Sequence, residues 1–168
     1  MKFRGLFLSL VFAFSGYSNI ISQSGPQPFT ITLIDSRPVI SPGAEARIQI
    51  TLTNTSSRDA SFGREARDDE AEAHCTVDVR NSVGDPAPDT ALGLRLKGKD
   101  SKHIPFEFGS HTMVTLKPGE SLKEEAVISK LFDITIPGKY SVQVIRQIPQ
   151  ELGGGAIKSN IIIITVTN

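Results

Sequence analysis

Apolar and polar residues alternate one by one along most of this chain, and that period of two constrains the fold more than any other feature. In ARIQITLTNTS, Ile48, Ile50 and Leu52 fall on one side while Arg47, Gln49, Thr51 and Thr53 fall on the other. An extended strand with one buried and one wet face has this period, and a helix does not. The same alternation runs through FTITLIDSR (Phe29, Ile31, Leu33), HCTVDVRNS (Cys75, Val77, Val79) and GKYSVQVIRQIP (Tyr140, Val142, Val144). A weaker version in ALGLRLKG (Leu92, Leu94, Leu96) predicts a further strand. Turn residues punctuate the segments at Pro42-Gly43, Gly84 to Pro88, Pro118-Gly119 and Gly153 to Gly155. The pattern predicts an all-β fold of about seven to eight antiparallel strands, arranged as a sandwich or barrel.

Three stretches depart from simple alternation. Residues Arg58 to Ala73 are polar and heavily charged, and read as an insertion forming a surface loop or a short exposed helix, the loop being preferred. SLKEEAVISKLFDITIPG reads as a strand followed by a corner. The last segment, SNIIIITVTN, is apolar on both sides: Ile162, Ile164 and Val166 on one, Ile161 and Ile163 on the other. Left exposed, such a strand invites aggregation, so it is expected to be covered on both faces and to pair with GKYSVQVIRQIP as a hairpin tipped by the glycine run.

The chain of 168 residues suits one domain. Its start, MKFRGLFLSLVFAFSGYSNIISQSG, has Lys2 and Arg4 ahead of an apolar run from Leu6 to Phe14 and then small residues. The run is short for a membrane span and has the length of a signal-peptide core, with cleavage after Ser18 or Ser24. An uncleaved anchor is the other reading. The domain organisation is therefore a signal peptide over 1–24 and one β domain over 25–168, with the polar insertion at 58–73. The expected location is outside the cytoplasm: periplasm, cell surface or medium, with no stable membrane span once the signal is removed.

Charge and cysteine content exclude several classes. Lys plus Arg and Asp plus Glu number 18 each, and loss of Lys2 and Arg4 leaves 16 basic residues. That balance gives no long-range attraction to nucleic acid or anionic lipid. Cys75 is the only cysteine, so an exported chain has no internal disulfide and depends on its core.

No catalytic constellation is present. The histidines, His74, His103 and His111, fall in separate segments without metal-ligand spacing. Asp68, Asp69, Glu70 and Glu72 lack the order of a calcium loop and read as a solvated charged segment. Cys75 is expected on the inward face of a strand as a small apolar residue. Glu124 and Glu125 are adjacent on a strand and point to opposite faces, so they do not form an acid–base pair. Gly153 to Gly155 lack the Lys and helix of a phosphate loop. Asn54-Thr55-Ser56 matches a glycosylation sequon. The reading assigns no catalytic, cofactor or metal residue. It leaves the loops Arg58 to Ala73 and Gln150 to Ile157 as candidate contact surfaces; Phe106 and Phe108 could add an apolar contact, and the preferred reading has them partly buried at a sheet edge.

In IPGKYSVQV, a Pro-Gly turn followed by Tyr140 and alternating valines resembles the tyrosine corner of immunoglobulin-like sandwiches. LKPGES, VDVRNSVGDPAPDT and the PGA-strand-TLTNTS order likewise resemble segments of bacterial immunoglobulin-like domains, over roughly Phe29 to Thr167. Leu116, Pro118, Gly119 and Glu120, with Pro137, Gly138 and Tyr140, are similar to turns of the bacterial intracellular proteinase inhibitor family. The chain departs from that family in its export signal and its lack of Trp. The resemblance implies an immunoglobulin-like β-sandwich. It implies a non-catalytic binding or structural role toward a protein or cell-surface partner, with loop-mediated proteinase inhibition as the alternative.

Overall fold

The computed structural model describes residues 27–65, 75–97 and 111–168. Strands dominate. In chain order they are β1 (Phe29–Asp35), β2 (Val39–Ile40), β3 (Arg47–Asn54), β4 (Ala60–Glu65) and β5 (Thr76–Arg80). They continue with β6 (His111–Leu116), β7 (Ser121–Val127), β8 (Gly138–Gln147), β9 (Ala156–Lys158) and β10 (Ile162–Val166). Two short helices, α1 (Ala91–Leu96) and α2 (Ile128–Leu131), and a 3-10 turn at Gln150–Leu152 complete the described elements. The all-β expectation holds.

One sheet has the order β1-β3-β7. A second runs β2-β10-β8-β5, with β9 also paired to β8. Strands β4 and β6 form a separate two-stranded ribbon. Counting in twos identifies the inward residues correctly. Phe29, Ile31 and Leu33 of β1, and Ile48, Ile50 and Leu52 of β3, share one hydrophobic cluster with Val77 and Val79 of β5 and with Tyr140, Val142 and Val144 of β8. Removing each such side chain from water stabilises the fold by about 1.5–3 kcal/mol.

The first strand changes sheets. β1 pairs antiparallel with β3, and four residues later β2 pairs parallel with β10, Val39 opposite Thr165. The expectation that all pairings are antiparallel fails here. Pro38 cannot continue the β1 ladder as a donor, but its carbonyl accepts from Thr165 N–H at 2.7 Å and starts the new pairing.

Four segments differ from expectation. ALGLRLKG is helical, not a strand, from Ala91 to Leu96. Thr90 caps the helix by accepting from Gly93 N–H, and its own hydroxyl donates to the Lys130 carbonyl at 2.5 Å. Leu94 and Leu96 are exposed, so the three alternating leucines do not define a buried face. Within the supposed insertion, Ala60–Glu65 forms β4 and buries Ala60 and Phe62; residues 66–73 lie outside the described residues. The hairpin with β8 is made first by β9, closed by Ile148 N–H to the Gly155 carbonyl at 2.8 Å, and then by β10.

Between β9 and β10 the ladder kinks at buried Ser159, whose Oγ accepts from Val144 N–H at 2.9 Å. Finally, β10 is covered on one face only. Ile164 and Val166 are buried, while Ile161 and Ile163 are 60 % and 47 % exposed.

Asn54 turns two chain segments at once. It is fully buried, its Nδ2 donates to the carbonyls of Arg58 (2.8 Å) and Leu116 (2.9 Å), and its Oδ1 accepts from Ser56 N–H (3.0 Å). In the folded chain the amide nitrogen of the sequon asparagine is thus taken up by two main-chain carbonyls. Tyr140 is also buried, and its hydroxyl donates to the Ile136 carbonyl at 2.9 Å.

Candidate functional site

Two surfaces stand apart from the rest, on opposite edges of the β2-β10-β8-β5 sheet. The first is an apolar seam where β1 and β2 meet β10. Val39 lies opposite Thr165, two residues from Ile163 on the same face. Ile161 adjoins Asn160, whose side chain is bonded to the main chain of Leu33, the neighbour of Ile34. Ile34, Val39, Ile161 and Ile163 are all about half exposed or more. Scattered exposed aliphatics are ordinary, whereas grouped ones mark contact surfaces.

The second is a cavity at the other edge, between β5, the end of β8 and the two helices. Its volume is about 390 Å³. Val77, Leu131, Phe132 and Ile145 form its apolar walls, Leu96 and Lys97 its helical rim, and Cys75 one end. The α1 wall is pressed against α2: a Cβ on Gly93 would stand 2.2 Å from the Leu131 carbonyl oxygen. Thr90 N–H donates to that same carbonyl at 2.9 Å. Lys97 Nζ pairs with Asp89 and lies 4.6 Å from the centre of the Phe132 ring.

Cys75 is half-buried and packs against the core rather than lying fully within it. Burial raises its thiol pKa, the nearby Arg146 guanidinium lowers it, and Glu124 raises it. Burial prevails, so the thiol stays protonated and is a weak nucleophile. Arg146 is itself buried, with its guanidinium 5.0 Å from the centre of the Phe62 ring, and Phe62 meets Phe29 edge-on at 6.4 Å.

Glu124 and Glu125 do point to opposite faces. Glu124 is buried, while Glu125 is exposed and accepts from Arg47 at 2.5 Å. The sequence reading passed over the inward placement of Glu124 and Arg146. The signal was there: stepping by two from Leu122 reaches Glu124, and from Val144 reaches Arg146.

His74 and His103, the acidic group Asp68 to Glu72, Phe106 and Phe108, and the 1–24 segment lie outside the described residues; His111 opens β6. Among the described residues, no group of three His, Cys, Asp or Glu is placed to hold a metal ion, and no helix is long and apolar enough to cross a membrane. The Gln150–Ile157 loop is a closed turn. Gly153 and Gly154 N–H groups donate to Gln150 and Pro149 carbonyls, and all three glycines have positive φ.

No protein-family model matches the chain, and no curated protein matches it. Among solved structures, it is similar to a β-glucosidase of Erythrobacter marinus at 16% identity and a TM-score of 0.36. That match covers 79% of this chain and 15% of the enzyme, so the chain spans a small part of that protein's length. It is also similar to AvmM, which catalyses macrocyclization in alchivemycin A biosynthesis. There the identity is 14% and the TM-score 0.40, over 85% of this chain and 90% of that one.

Proposed function

We propose that this chain is an exported, non-catalytic binding module built on an immunoglobulin-like β-sandwich, and that it contacts a protein or cell-surface partner through the seam of Ile34, Val39, Ile161 and Ile163. The single observation that carries the binding role is the exposure of four large aliphatic residues where β1 and β2 meet β10. The sandwich reading draws on the strand switch from β1 to β2, the parallel β2–β10 pair and the Tyr140 hydroxyl bonded back to Ile136. The non-catalytic reading draws on the protonated Cys75 thiol and the separation of Glu124 from Glu125.

The test compares the unmodified chain with an Ile161→Lys/Ile163→Lys variant in affinity capture from the exporting cells, each matched by a melting curve. The expected result is a partner retained by the first and lost by the second at equal stability. Equal retention by both, or capture by neither, removes the proposal.

A further inference from the structure

We infer that the cavity between β5 and the α1–α2 pair is a binding site for a small neutral, mostly apolar organic molecule of one or two rings. The inference stands apart from the seam, which lies at the other edge of the same sheet.

Size comes first. A dry cavity of about 150 Å³ takes benzene, and small-molecule sites begin near 300 Å³. The 390 Å³ here therefore has room for a fused aromatic or alicyclic skeleton.

The lining sets the chemistry. Five of its side chains are apolar: Val77, Leu96, Leu131, Phe132 and Ile145. Among the described residues no carboxylate lines it, and Lys97 is the one charged group. That ammonium is already paired with Asp89 and held over the Phe132 ring. An anionic ligand would gain little from a charge already neutralised, and would still give up its own hydration. A cation would meet the ammonium. A neutral ligand meets neither cost, and Thr76 and Gln147 place polar groups on the lining for one hydroxyl, amide or carbonyl. The protonated Cys75 thiol adds a soft, polarisable contact rather than a charge.

The walls are set before anything binds. Gly93 leaves no slack between α1 and Leu131, and Thr90 ties both its main-chain N–H and its hydroxyl to α2. A site of this kind loses little conformational freedom on binding.

The experiment titrates the full chain with the neutral two-ring fluorophore aminonaphthalene and with its charged counterpart naphthalene sulfonate. It follows emission and, in parallel, the rate at which iodoacetamide alkylates Cys75, the only cysteine in the chain. Leu96→Trp fills the cavity from its rim, where Leu96 is 41% exposed and core strain is small. Ile163→Lys serves as the control for probe adsorbed on the seam. The expected result is saturable micromolar binding of aminonaphthalene, weakened about tenfold or more by Leu96→Trp and unchanged by Ile163→Lys. Alkylation should slow as the site fills, and the sulfonate should bind far more weakly. Alkylation of the unmodified chain decides the matter if Leu96→Trp fails to fold. Absence of saturable binding, binding lost with Ile163→Lys instead, undiminished alkylation at saturation, or equal affinity for the sulfonate overturns the inference.

Discussion

The side chain of Asn160 forms a two-point pair with the main chain of Leu33. Its Oδ1 accepts from Leu33 N–H at 2.7 Å, and its Nδ2 donates to the Leu33 carbonyl at 3.1 Å. An amide side chain stands where a neighbouring strand would otherwise be, and joins residues 127 apart in the chain. Asn160→Ala leaves both main-chain groups without that partner and is expected to cost about 1–3 kcal/mol. The measurement is urea unfolding, with a lower midpoint and an unchanged slope. Asn160→Asp keeps the acceptor and loses the donor, so its midpoint should fall between the two. A midpoint for Asn160→Ala equal to that of the unmodified chain refutes the pairing as a stabilising link.

Tyr140→Phe removes one hydrogen bond and keeps the ring. The expected loss is about 0.5–1.5 kcal/mol at neutral pH. Burial, with a smaller contribution from Asp133, raises the phenol pKa above its ordinary value near ~10. A raised value in the folded state means that the fold favours the protonated form. Its contribution is whole below the unfolded value and is lost as pH climbs through the higher folded one. Stability of the unmodified chain should therefore fall in alkali, and the difference from Tyr140→Phe should shrink there. A constant difference across the alkaline range contradicts this account.

Two glycine substitutions separate packing from propensity. Gly93→Ala sets a Cβ 2.2 Å from the Leu131 carbonyl oxygen and must push α1 off α2, for an expected loss of about 2–4 kcal/mol. Gly63→Ala in β4 meets nothing within 4 Å and should change stability by no more than about 1 kcal/mol, with a gain the expected direction. Thermal melts of the pair check this. Similar losses in both would show that the helix contact is unimportant.

Much of this was legible in the sequence because most strands bury one face and wet the other, as β3 and β8 do. Where that condition fails, so did the reading. α1 carries leucines at alternate positions, but its helix depends on Thr90 and Gly93 meeting Leu131, a contact that local pattern does not encode. β4 has a single large apolar residue, Phe62, in a segment that is otherwise small or polar. The apolar outer side of β10 implied a covering layer, and the described fold leaves Ile161 and Ile163 in solvent. The cavity was invisible for the same reason as α1, since one of its walls is that helix. Glu124 and Arg146 were within reach of simple counting.

The protonated state of Cys75 is open to direct measurement. With burial holding the thiol pKa above its ordinary value, alkylation of the folded chain should be slow near about pH 8 and should accelerate as pH rises further. Unfolding in urea should raise the rate at neutral pH. Arg146→Met removes the charge that lowers the thiol pKa and should slow the reaction again. A folded chain that reacts as fast as the unfolded one at neutral pH disproves the burial effect.

The passage of the opening strand from one sheet to the other sets an order of events for folding. β1 finds β3 nearby, yet Leu33 and the Pro38–Ile40 stretch wait for partners at the far end of the chain. Closing a loop across 127 residues is slow, so the early stages proceed with that edge unsatisfied. A chain emerging from synthesis therefore completes its fold only when residues 160–166 are free to dock. Truncation there should leave a collapsed species with an open, adhesive rim.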